Sequence, residues 1–437
     1  MNFRFISLVF ILFQVFCLPV FSQKKDTIWL GRSTGLQMSG FARIDFVYDT
    51  RQTNEAVEGL FSFFPLNKQL DADGKDINAT PKANFSSISS RLCSRFFAPD
   101  VFGAKSTAYI EFDFTGTSNT NGVRMRQAWV NLGWKKSNLL LGRTWHPFAT
   151  GCVPNVIALN TGAPFWAVNR ADMVRFDYKA GNLFLQAFAL YHSDYCSLGP
   201  TPGTASTSAK SPIYMRDAIL PEFATHIAFK KPGIQIGAIG SVKTIKPRQY
   251  TMANYSDPNT RFKTNEKLTT ASAQAYAQCQ VAKFVVKAQA TYTQNTTESL
   301  QIGGYAVSAL DPATGHEKYT PTQYMNYWLN VDYGKKVQVG MFLGYLNSLG
   351  TLDNVYVSPQ GKSIWYARGY APDNNNIKYM YRVSPHLFYN VNNFQLGAEF
   401  EYTVAAYGEV QNDQKAKIIN TSEIANFRTN ILICFYF

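Results

Sequence analysis

Charged residues are scarce in this sequence, and beyond its first segment it has no long apolar run. Asp, Glu, Lys and Arg make up only 16% of the 437 residues, whereas soluble proteins carry about a quarter. After residue 22 no stretch stays apolar for the roughly 18 residues that indicate a membrane-crossing helix. The rest of the chain is therefore expected to contain no membrane helix, which leaves open a membrane protein built from β-strands.

Cysteine is also sparse. Six cysteines are present, and five follow residue 22. An odd and widely scattered set is not a disulfide framework. Cys93, Cys279 and Cys434 fall in apparent strands as small apolar residues, whereas Cys152 and Cys196 both fall in loops and are candidates to pair.

Histidine occurs only five times, which limits acid–base chemistry. Ser384 and His386 share a strand face, but two residues along a strand are about 6.5–7 Å apart, too far for a nucleophile–base hydrogen bond. His192 and Asp194 have no serine that completes a constellation. We therefore expect neither enzyme activity nor a cofactor.

The net charge is +13 from 42 basic and 29 acidic residues, and it becomes 41 − 29 = +12 without Arg4 of the first segment. No basic run or basic helix accompanies this charge, which argues against a nucleic-acid partner. A basic interior that attracts anions explains it better. Aromatic residues, by contrast, are abundant at 15%, which suits a surface partly in contact with lipid.

The first 22 residues have the layout of a secretory signal. A short basic start to Arg4 precedes an apolar segment from Phe5 to Phe21, with cleavage expected after Ser22. Gln14 and Pro19 interrupt that segment, which is shorter than the about 20 residues needed to span a bilayer. Residues 23–437 are expected to form one domain in a Gram-negative-type outer membrane.

Alternation with period two dominates the mature chain. Phe394, Leu396, Ala398 and Phe400 are apolar, while the residues between them are not, as in a strand with one apolar face. Sixteen such segments occur, near 36–49, 84–97, 103–115, 122–134, 138–146, 171–179, 182–192, 222–230, 234–244, 269–281, 284–293, 322–333, 336–346, 376–389, 393–407 and 421–437.

The connections between these segments alternate between long loops and tight turns along the whole chain. That arrangement places all long loops at one end and all tight turns at the other, as in an even-stranded outer-membrane barrel. The last segment ends in mid-strand on Phe437 and is expected to pair with the first strand, which removes the exposed edges. The expected fold is all-β, a transmembrane antiparallel barrel of about sixteen strands.

The face opposite the apolar one is basic, and a charged side chain facing the bilayer midplane costs roughly 2–4 kcal/mol. Arginines on that face are expected to line a water-filled lumen, which sixteen strands leave room for. The loop 147–171 is apolar, bends at Gly and Pro, and is the expected constriction with Arg170 at its narrowest point. The candidate pore-lining residues are Arg43, Arg91, Arg95, Arg124, Arg126, Arg143, Arg170, Arg175 and Arg382.

Three of these have a less clear direction. Arg124 and Arg126 share their parity with apolar residues such as Val130, and Arg143 shares its parity with Leu139 and Leu141. The inward arginines are also candidates to pair with acidic residues and brace the wall. A selective anion pore, a weakly selective sieve, a plugged barrel, and an adhesin or complex subunit therefore all stay open.

Acidic residues cluster in one long loop, at Asp71, Asp73 and Asp76 around Gly74. Carboxylates at this spacing are a weak candidate for binding Ca²⁺. The full calcium-loop pattern is missing, and an ordinary Asp/Gly turn is the favoured interpretation.

Two segments resemble the DcaP-like trimeric outer-membrane porins. Asn121–Trp129 contains Arg-x-Arg followed by a small and an aromatic residue, Leu139–Trp145 is a Leu-rich strand ending in Thr-Trp, and Ile110–Phe114 precedes them. The resemblance implies a sixteen-stranded homotrimeric barrel that passes small anions such as dicarboxylates.

The resemblance also implies an arginine-lined eyelet, with Arg124, Arg126 and Arg143 carried over. Arg143 departs from the family pattern, because a glutamine is expected there. The 13 residues from Gln23 to Gly35 are too few for the periplasmic coiled coil of some members, so trimer formation would depend on the barrel walls.

Overall fold

The computed structural model describes residues 27–29, 34–116, 122–157, 162–255, 257, 259–370 and 375–437. The expected signal segment, residues 1–22, lies outside the described residues. No helix among the described residues is both long and apolar enough to cross a membrane.

Sixteen antiparallel strands close into a barrel, which confirms the expected fold. Each expected segment corresponds to one strand, because alternating side chains face the outside and the interior in turn. The strands are β1 Gly35–Asp49, β2 in two pieces at Lys82–Ser86 and Arg91–Val101, β3 Ala104–Asp113, β4 Arg124–Gly133, β5 Ser137–Trp145, β6 Arg170–Ala180, β7 Leu183–Tyr191, β8 Glu222–Lys231, β9 Ile234–Ile245, β10 Leu268–Val281, β11 Phe284–Gln294, β12 Glu317–Gly334, β13 Val337–Thr351, β14 Asn376–Val391, β15 Phe394–Gln411 and β16 Lys417–Tyr436.

The seam joins β1 to β16, as expected from the terminal strand. Ile44 lies opposite Ile433 in the antiparallel register. Gly40 N donates to Phe437 O at 2.8 Å, and Phe437 N donates to Gly40 O at 3.1 Å. Phe437 is therefore part of the closed sheet, and each described barrel strand has a neighbouring strand on both sides.

Burial along a strand shows the two faces directly. In β8 the residues Glu222, Ala224, His226 and Ala228 are buried, while the residues between them, such as Phe223, are exposed. The exposed outer positions of the barrel are mostly Phe, Tyr, Leu, Ile and Val. The exterior is thus apolar and the interior carries the polar side chains.

The wall is uneven in height. Strands β4 to β7 have 9–11 residues, whereas β12 to β16 have 15–20. The long loops contain two short helices, α1 Pro147–Thr150 and α2 Ile213–Ala218, 3-10 turns at Ile77–Ala79, Thr297–Ser299 and Asn412–Gln414, and short strands at Thr53–Ala56, Phe61–Pro65, Leu198–Pro200, Ser208–Lys210, Tyr250–Met252, Arg261–Lys263, Gly303–Leu310 and Trp365–Arg368. A further short strand, Ile28–Trp29, pairs with the start of β1.

Cys152 and Cys196 are not joined. Both are buried free thiols, and Cys93, Cys279 and Cys434 are free as well. No disulfide forms among the described residues.

Candidate functional site

The loop between β5 and β6, residues 146–169, folds into the barrel interior. His146 begins it by accepting a hydrogen bond at Nδ1 from Phe148 N, which caps α1. The backbone then reaches the opposite wall, where Asn155 N donates to Asn330 Oδ1 at 2.6 Å and Ile157 N donates to Glu399 Oε2 at 2.7 Å. Residues 158–161 lie outside the described part of this loop.

Glycines in the wall make room for the apolar side chains of this loop. A Cβ built on Gly344 would lie 2.6 Å from the Phe165 ring, and one built on Gly397 would lie 2.8 Å from Ile157 Cδ1. Phe165 also packs against Phe342, with 6.4 Å between the ring centroids. The apolar part of the loop thus packs against the side of the barrel formed by the tall strands β12 to β16.

Three inward cations hold the loop by its carbonyl groups. Arg43 Nη2 donates to Ile157 O at 2.8 Å, Lys287 Nζ to Val153 O at 2.9 Å, and Arg382 Nη1 to Ala163 O at 2.9 Å. Arg382 also donates to Ser62 O at 3.0 Å, and it is only 1% exposed. Its expected pore-lining position is therefore wrong, because Arg382 is enclosed between the wall and the loops.

A large cavity of about 1680 Å³ opens at the tight-turn end of the barrel and reaches up to the loop. Eleven basic residues line it, against three acidic ones, Asp100, Asp177 and Asp332. Four of the basic residues are candidate pore-lining arginines, namely Arg43, Arg91, Arg95 and Arg175. The other seven are Lys105, Lys135, Lys136, Lys179, Lys230, Lys287 and Lys335.

The cavity arginines differ in their ion pairs. Arg43 lies 2.7 Å from Asp45, Arg175 lies 2.9 Å from Asp177, and Arg91 is only within 3.8 Å of Glu111. Among the described residues Arg95 has no carboxylate partner, and its guanidinium carbon lies 5.7 Å from the centre of the Tyr109 ring. Arg95 thus contributes a full positive charge to the cavity wall.

A β-bulge decides the direction of Arg124 and Arg126. Glu111 of β3 lies opposite Gln127, but the next residue, Phe112, lies opposite Met125, so Arg126 is the extra residue. The extra residue reverses the parity of the strand beyond it. Both arginines therefore turn inward, where they bind acidic side chains of β3.

The bulge arginines form a compact charge cluster. Arg126 donates to Glu111 at 2.5 Å and to Asp113 at 2.7 Å, and Arg124 donates to Asp113 at 2.8 Å. Side chains of Arg126, Glu111 and Asp113 are at most 5% exposed. Their charges largely compensate one another, so this cluster braces the wall.

Arg170 lies between two aromatic rings, with its guanidinium carbon 5.2 Å from the Trp145 ring centre and 4.9 Å from that of Tyr195. Trp145 lines the large cavity, whereas Tyr195 lines a second cavity of about 150 Å³ on the long-loop side. Arg170 also donates to Asp194 at 2.8 Å. Arg170 is only 1% exposed and is not among the residues that line either cavity, so its expected position at the narrowest point of the lumen is not confirmed.

Two guanidinium groups act on the buried Tyr195 side chain. Burial alone would raise the pKa of Tyr195, a loop residue, yet the nearby Arg170 and Arg124 guanidinium groups bring that pKa below its ordinary value. A phenol that is easier to ionise despite burial reports a net positive surrounding. An anion at the same position would be stabilised for the same reason.

Arg143 is on the outer face, and its expected inward position is wrong. The register places it opposite Ala128 and Asp172, on the face that carries Leu141. Its guanidinium lies 3.2 Å from Asp172 and donates to Ser193 Oγ at 2.6 Å. No bulge interrupts β5 between Leu139 and Arg143, so the apolar parity of this strand extends to the arginine.

The acidic loop segment forms a hydrogen-bonded turn. Asp71 Oδ1 accepts from the backbone N of Asp73 and Lys75, at 2.9 and 2.8 Å. Asp76 caps the 3-10 turn through Asn78 N and pairs with Arg51 at 2.7 Å. The favoured turn is thus formed, and calcium binding at Asp71, Asp73 and Asp76 stays a weak prediction.

Sequence reasoning missed a buried group at the ends of three strands. His146 and His192 both meet Glu222, with Nε2-to-carboxylate distances of 3.2 and 2.6 Å. The Nδ1 atom of His146 accepts from Phe148 N, and that of His192 lies 2.8 Å from the Asn169 amide nitrogen. The ligand atoms of His146, His192 and Glu222 all lie within 4.8 Å of one another, so these three side chains form a candidate group for holding a metal ion.

The lysines of the cavity mouth were missed as well. Their signal was available, because Lys135, Lys136 and Lys335 lie within tight turns between regular strands. Turn residues have no strand parity, so alternation alone does not assign them to the lumen.

A closed sixteen-stranded barrel with a loop folded against its inner wall is the architecture of outer-membrane porins. No protein-family model and no curated protein matches the chain. The solved outer membrane channel DcaP of Acinetobacter baumannii is similar to it, with a TM-score of 0.63 at 16% identity over 92% of this chain and 97% of that one.

Two other solved structures are similar over nearly the whole chain. The anion-selective porin from Comamonas acidovorans has a TM-score of 0.52 at 9% identity, covering 92% of this chain and 100% of that one. The trimer form of OmpT from Vibrio cholerae has a TM-score of 0.51 at 9% identity, covering 93% and 100%. At these identities the comparisons show the fold alone, and they confirm the resemblance to DcaP-like porins at that level.

Proposed function

We propose that the chain is an outer-membrane porin through which small hydrophilic anions diffuse passively, and that it is not an enzyme. The observation that carries this proposal is the cavity with eleven basic and three acidic lining residues. Rings of Arg and Lys in a water-filled pore favour anions over cations. The similarity of the fold to a porin described as anion-selective supports the same interpretation.

Charges without partners set the selectivity in this proposal. An arginine paired with a carboxylate adds almost no net charge to the lumen, whereas an unpaired cation adds a full one. At about 8 Å in water, one unit charge changes the energy of an ion by about 0.5 kcal/mol, which salt at 0.1 M reduces by about half. Among the described residues Arg95 is such a cation, and the turn lysines Lys105 and Lys135 at the mouth have no carboxylate partner there either.

In the proposed route, a solute passes from the long-loop side past the inward loop and into the large cavity. Loop 147–171 is then the constriction, because its described parts are held inside the barrel by Arg43, Lys287 and Arg382. The solute class implied by the resemblance is dicarboxylate-like. A weakly selective general porin is the alternative within the same fold.

The assembly and location belong to the same proposal. Residues 1–22 direct export, residues 23–437 form the barrel, and outer-membrane lipid surrounds it. A homotrimer is supported by the similar OmpT structure described as a trimer form. An adhesin or a subunit of a larger complex is the alternative if no channel forms.

Reversal potentials in planar bilayers under a KCl gradient test the proposal. The wild type is expected to show discrete conductance steps and a preference for chloride. Arg95→Gln removes one unpaired cation and should lower the chloride-to-potassium ratio by about two-fold at 0.1 M salt, from the screened energy above. The double variant Arg175→Gln with Asp177→Asn removes a whole ion pair and should leave the ratio nearly unchanged.

Lys362→Gln, at an exposed loop position, is the second control and should have no effect. Cation preference in the wild type would overturn the anion-selective proposal. A complete absence of channels would overturn both porin interpretations and favour a structural or adhesive barrel.

A further inference from the structure

The two ends of the barrel differ sharply in charge. The seven tight turns and their flanking residues, 98–105, 134–137, 179–183, 230–234, 281–284, 334–337 and 390–394, contain nine lysines and a single acidic residue, Asp100. The eight long connections at the other end contain thirteen basic and fourteen acidic residues. The excess charge of the protein is therefore concentrated at the tight-turn rim.

The nine rim lysines fall into two groups. Six of them line the mouth of the large cavity and belong to the proposed pore. The remaining three, Lys231, Lys283 and Lys336, are exposed and do not line the cavity. They lie at three consecutive turns, β8–β9, β10–β11 and β12–β13, which are spaced about 10 Å apart because neighbouring strands lie about 4.8 Å apart.

Two of these lysines lie beside aromatic rings of the outer face, and the third directly precedes such a residue in the sequence. Lys231 Nζ is 5.2 Å from the centre of the Phe229 ring, and Lys336 Nζ is 5.8 Å from that of Tyr389. Lys283 directly precedes Phe284, whose ring lies 4.6 Å from that of Tyr333. All four rings are at least 40% exposed.

Exposed aromatic rings at the end of an apolar wall lie at the level of lipid headgroups. Lysines at that level reach the phosphate groups, while their methylene chains lie along the apolar surface. These lysines are positively charged, lie at the headgroup level and are outside the cavity. Together these properties favour an anionic lipid headgroup as the partner.

We propose that the tight-turn rim binds anionic phospholipid headgroups through Lys231, Lys283 and Lys336. This inference rests on the proposed outer-membrane location, with the tight turns facing the periplasmic leaflet. A soluble acidic protein would meet the turn tips from below and would not need lysines placed on the outer face beside aromatic rings. The lipid anchors the rim and fixes the height of this part of the wall in the bilayer.

The test compares lipid retention by the full-length protein in an uncharged detergent. Phosphatidylglycerol and phosphatidylcholine with the same acyl chains are titrated and counted by native mass spectrometry. A lysine near an anionic surface strengthens binding about five-fold. The wild type should therefore prefer phosphatidylglycerol to phosphatidylcholine by roughly ten-fold or more. The triple variant Lys231→Gln, Lys283→Gln and Lys336→Gln should lose this preference, and so should the wild type in high salt.

The matched control changes three exposed lysines at the long-loop end, Lys68→Gln, Lys75→Gln and Lys362→Gln, and should retain the preference. Equal phosphatidylglycerol binding by the two triple variants would overturn the inference. So would a triple variant that keeps the lipid preference but loses capture of an acidic soluble protein, because the rim would then be a protein-binding surface.

Channel recordings keep this inference separate from the proposed function. The rim triple variant should form channels with unchanged conductance in uncharged lipid, which also shows that its barrel is folded. Failure of the wild type to conduct would overturn the porin proposal, whereas the comparison of lipid retention would still decide the headgroup site.

Discussion

Replacing Gly344 by alanine tests whether the inward loop really rests on the tall wall. The added Cβ would lie 2.6 Å from both Cγ and Cδ2 of Phe165, whereas carbon atoms in contact are about 3.5–4.0 Å apart. The ring must therefore move away from the wall by about 1 Å. Arg382 holds the same loop segment at Ala163 O, so the movement is resisted, and overpacking of this kind costs about 1–3 kcal/mol.

Two measurements follow on Gly344→Ala. The free energy of unfolding in urea should fall by about 1–3 kcal/mol. The single-channel conductance should also fall, because Phe165 is pushed toward the lumen. Gly240→Ala is the matched control, since a Cβ there meets nothing within 4 Å and alanine is slightly favoured over glycine within a strand. Equal stability and equal conductance of the two variants would refute the docking of this loop on the wall.

Three further predictions concern the eyelet and the buried groups. The pKa of Tyr195 should lie below the ordinary value for tyrosine, because Arg170 and Arg124 are nearby. The ultraviolet absorbance of wild type minus that of Tyr195→Phe should therefore rise at a lower pH than the absorbance of the other tyrosines. A rise at a higher pH would contradict the effect of the two arginines. Arg126→Met leaves Glu111 and Asp113 short of a buried partner and should lower the free energy of unfolding by about 3–5 kcal/mol, a loss that urea titration against wild type measures.

The third prediction concerns the reactivity of the two loop cysteines, Cys152 and Cys196. Burial raises the pKa of Cys152 and Cys196 to about 12, so iodoacetamide at neutral pH should modify neither in the folded protein and both after unfolding. Mass spectrometry of the labelled peptides checks this, and labelling of Cys196 in the native state would show that its loop opens.

The strands were predictable because the two faces of the wall differ, apolar outside and polar inside, which produces alternation along each strand. The same reasoning fails where alternation is interrupted. The extra residue at Arg126 reverses the parity of β4, and a bulge of one residue leaves no distinct mark in composition. Arg143 was misplaced because an ion pair with Asp172 compensates its charge on the outer face.

The packing of the inward loop against the barrel wall was only partly predictable from the sequence. Its apolar composition indicated that loop 147–171 folds inward, but the wall it rests on depends on Gly344 and Gly397, which are far away in the sequence. Likewise Arg382 had the parity of a lumen residue, and only the loops packed over it hide it from the cavity. Long-range packing of this kind is not encoded in local periodicity.

The seam between β1 and β16 has a consequence for how the barrel is made. Arg428 of the last strand binds Asp49 of the first at 2.7 Å, although 379 positions separate them along the chain. Ordering so distant a contact requires a large loss of chain entropy before any bond is gained. Until β16 pairs with it, β1 keeps one open row of backbone donors and acceptors, so we expect ring closure to come late in folding.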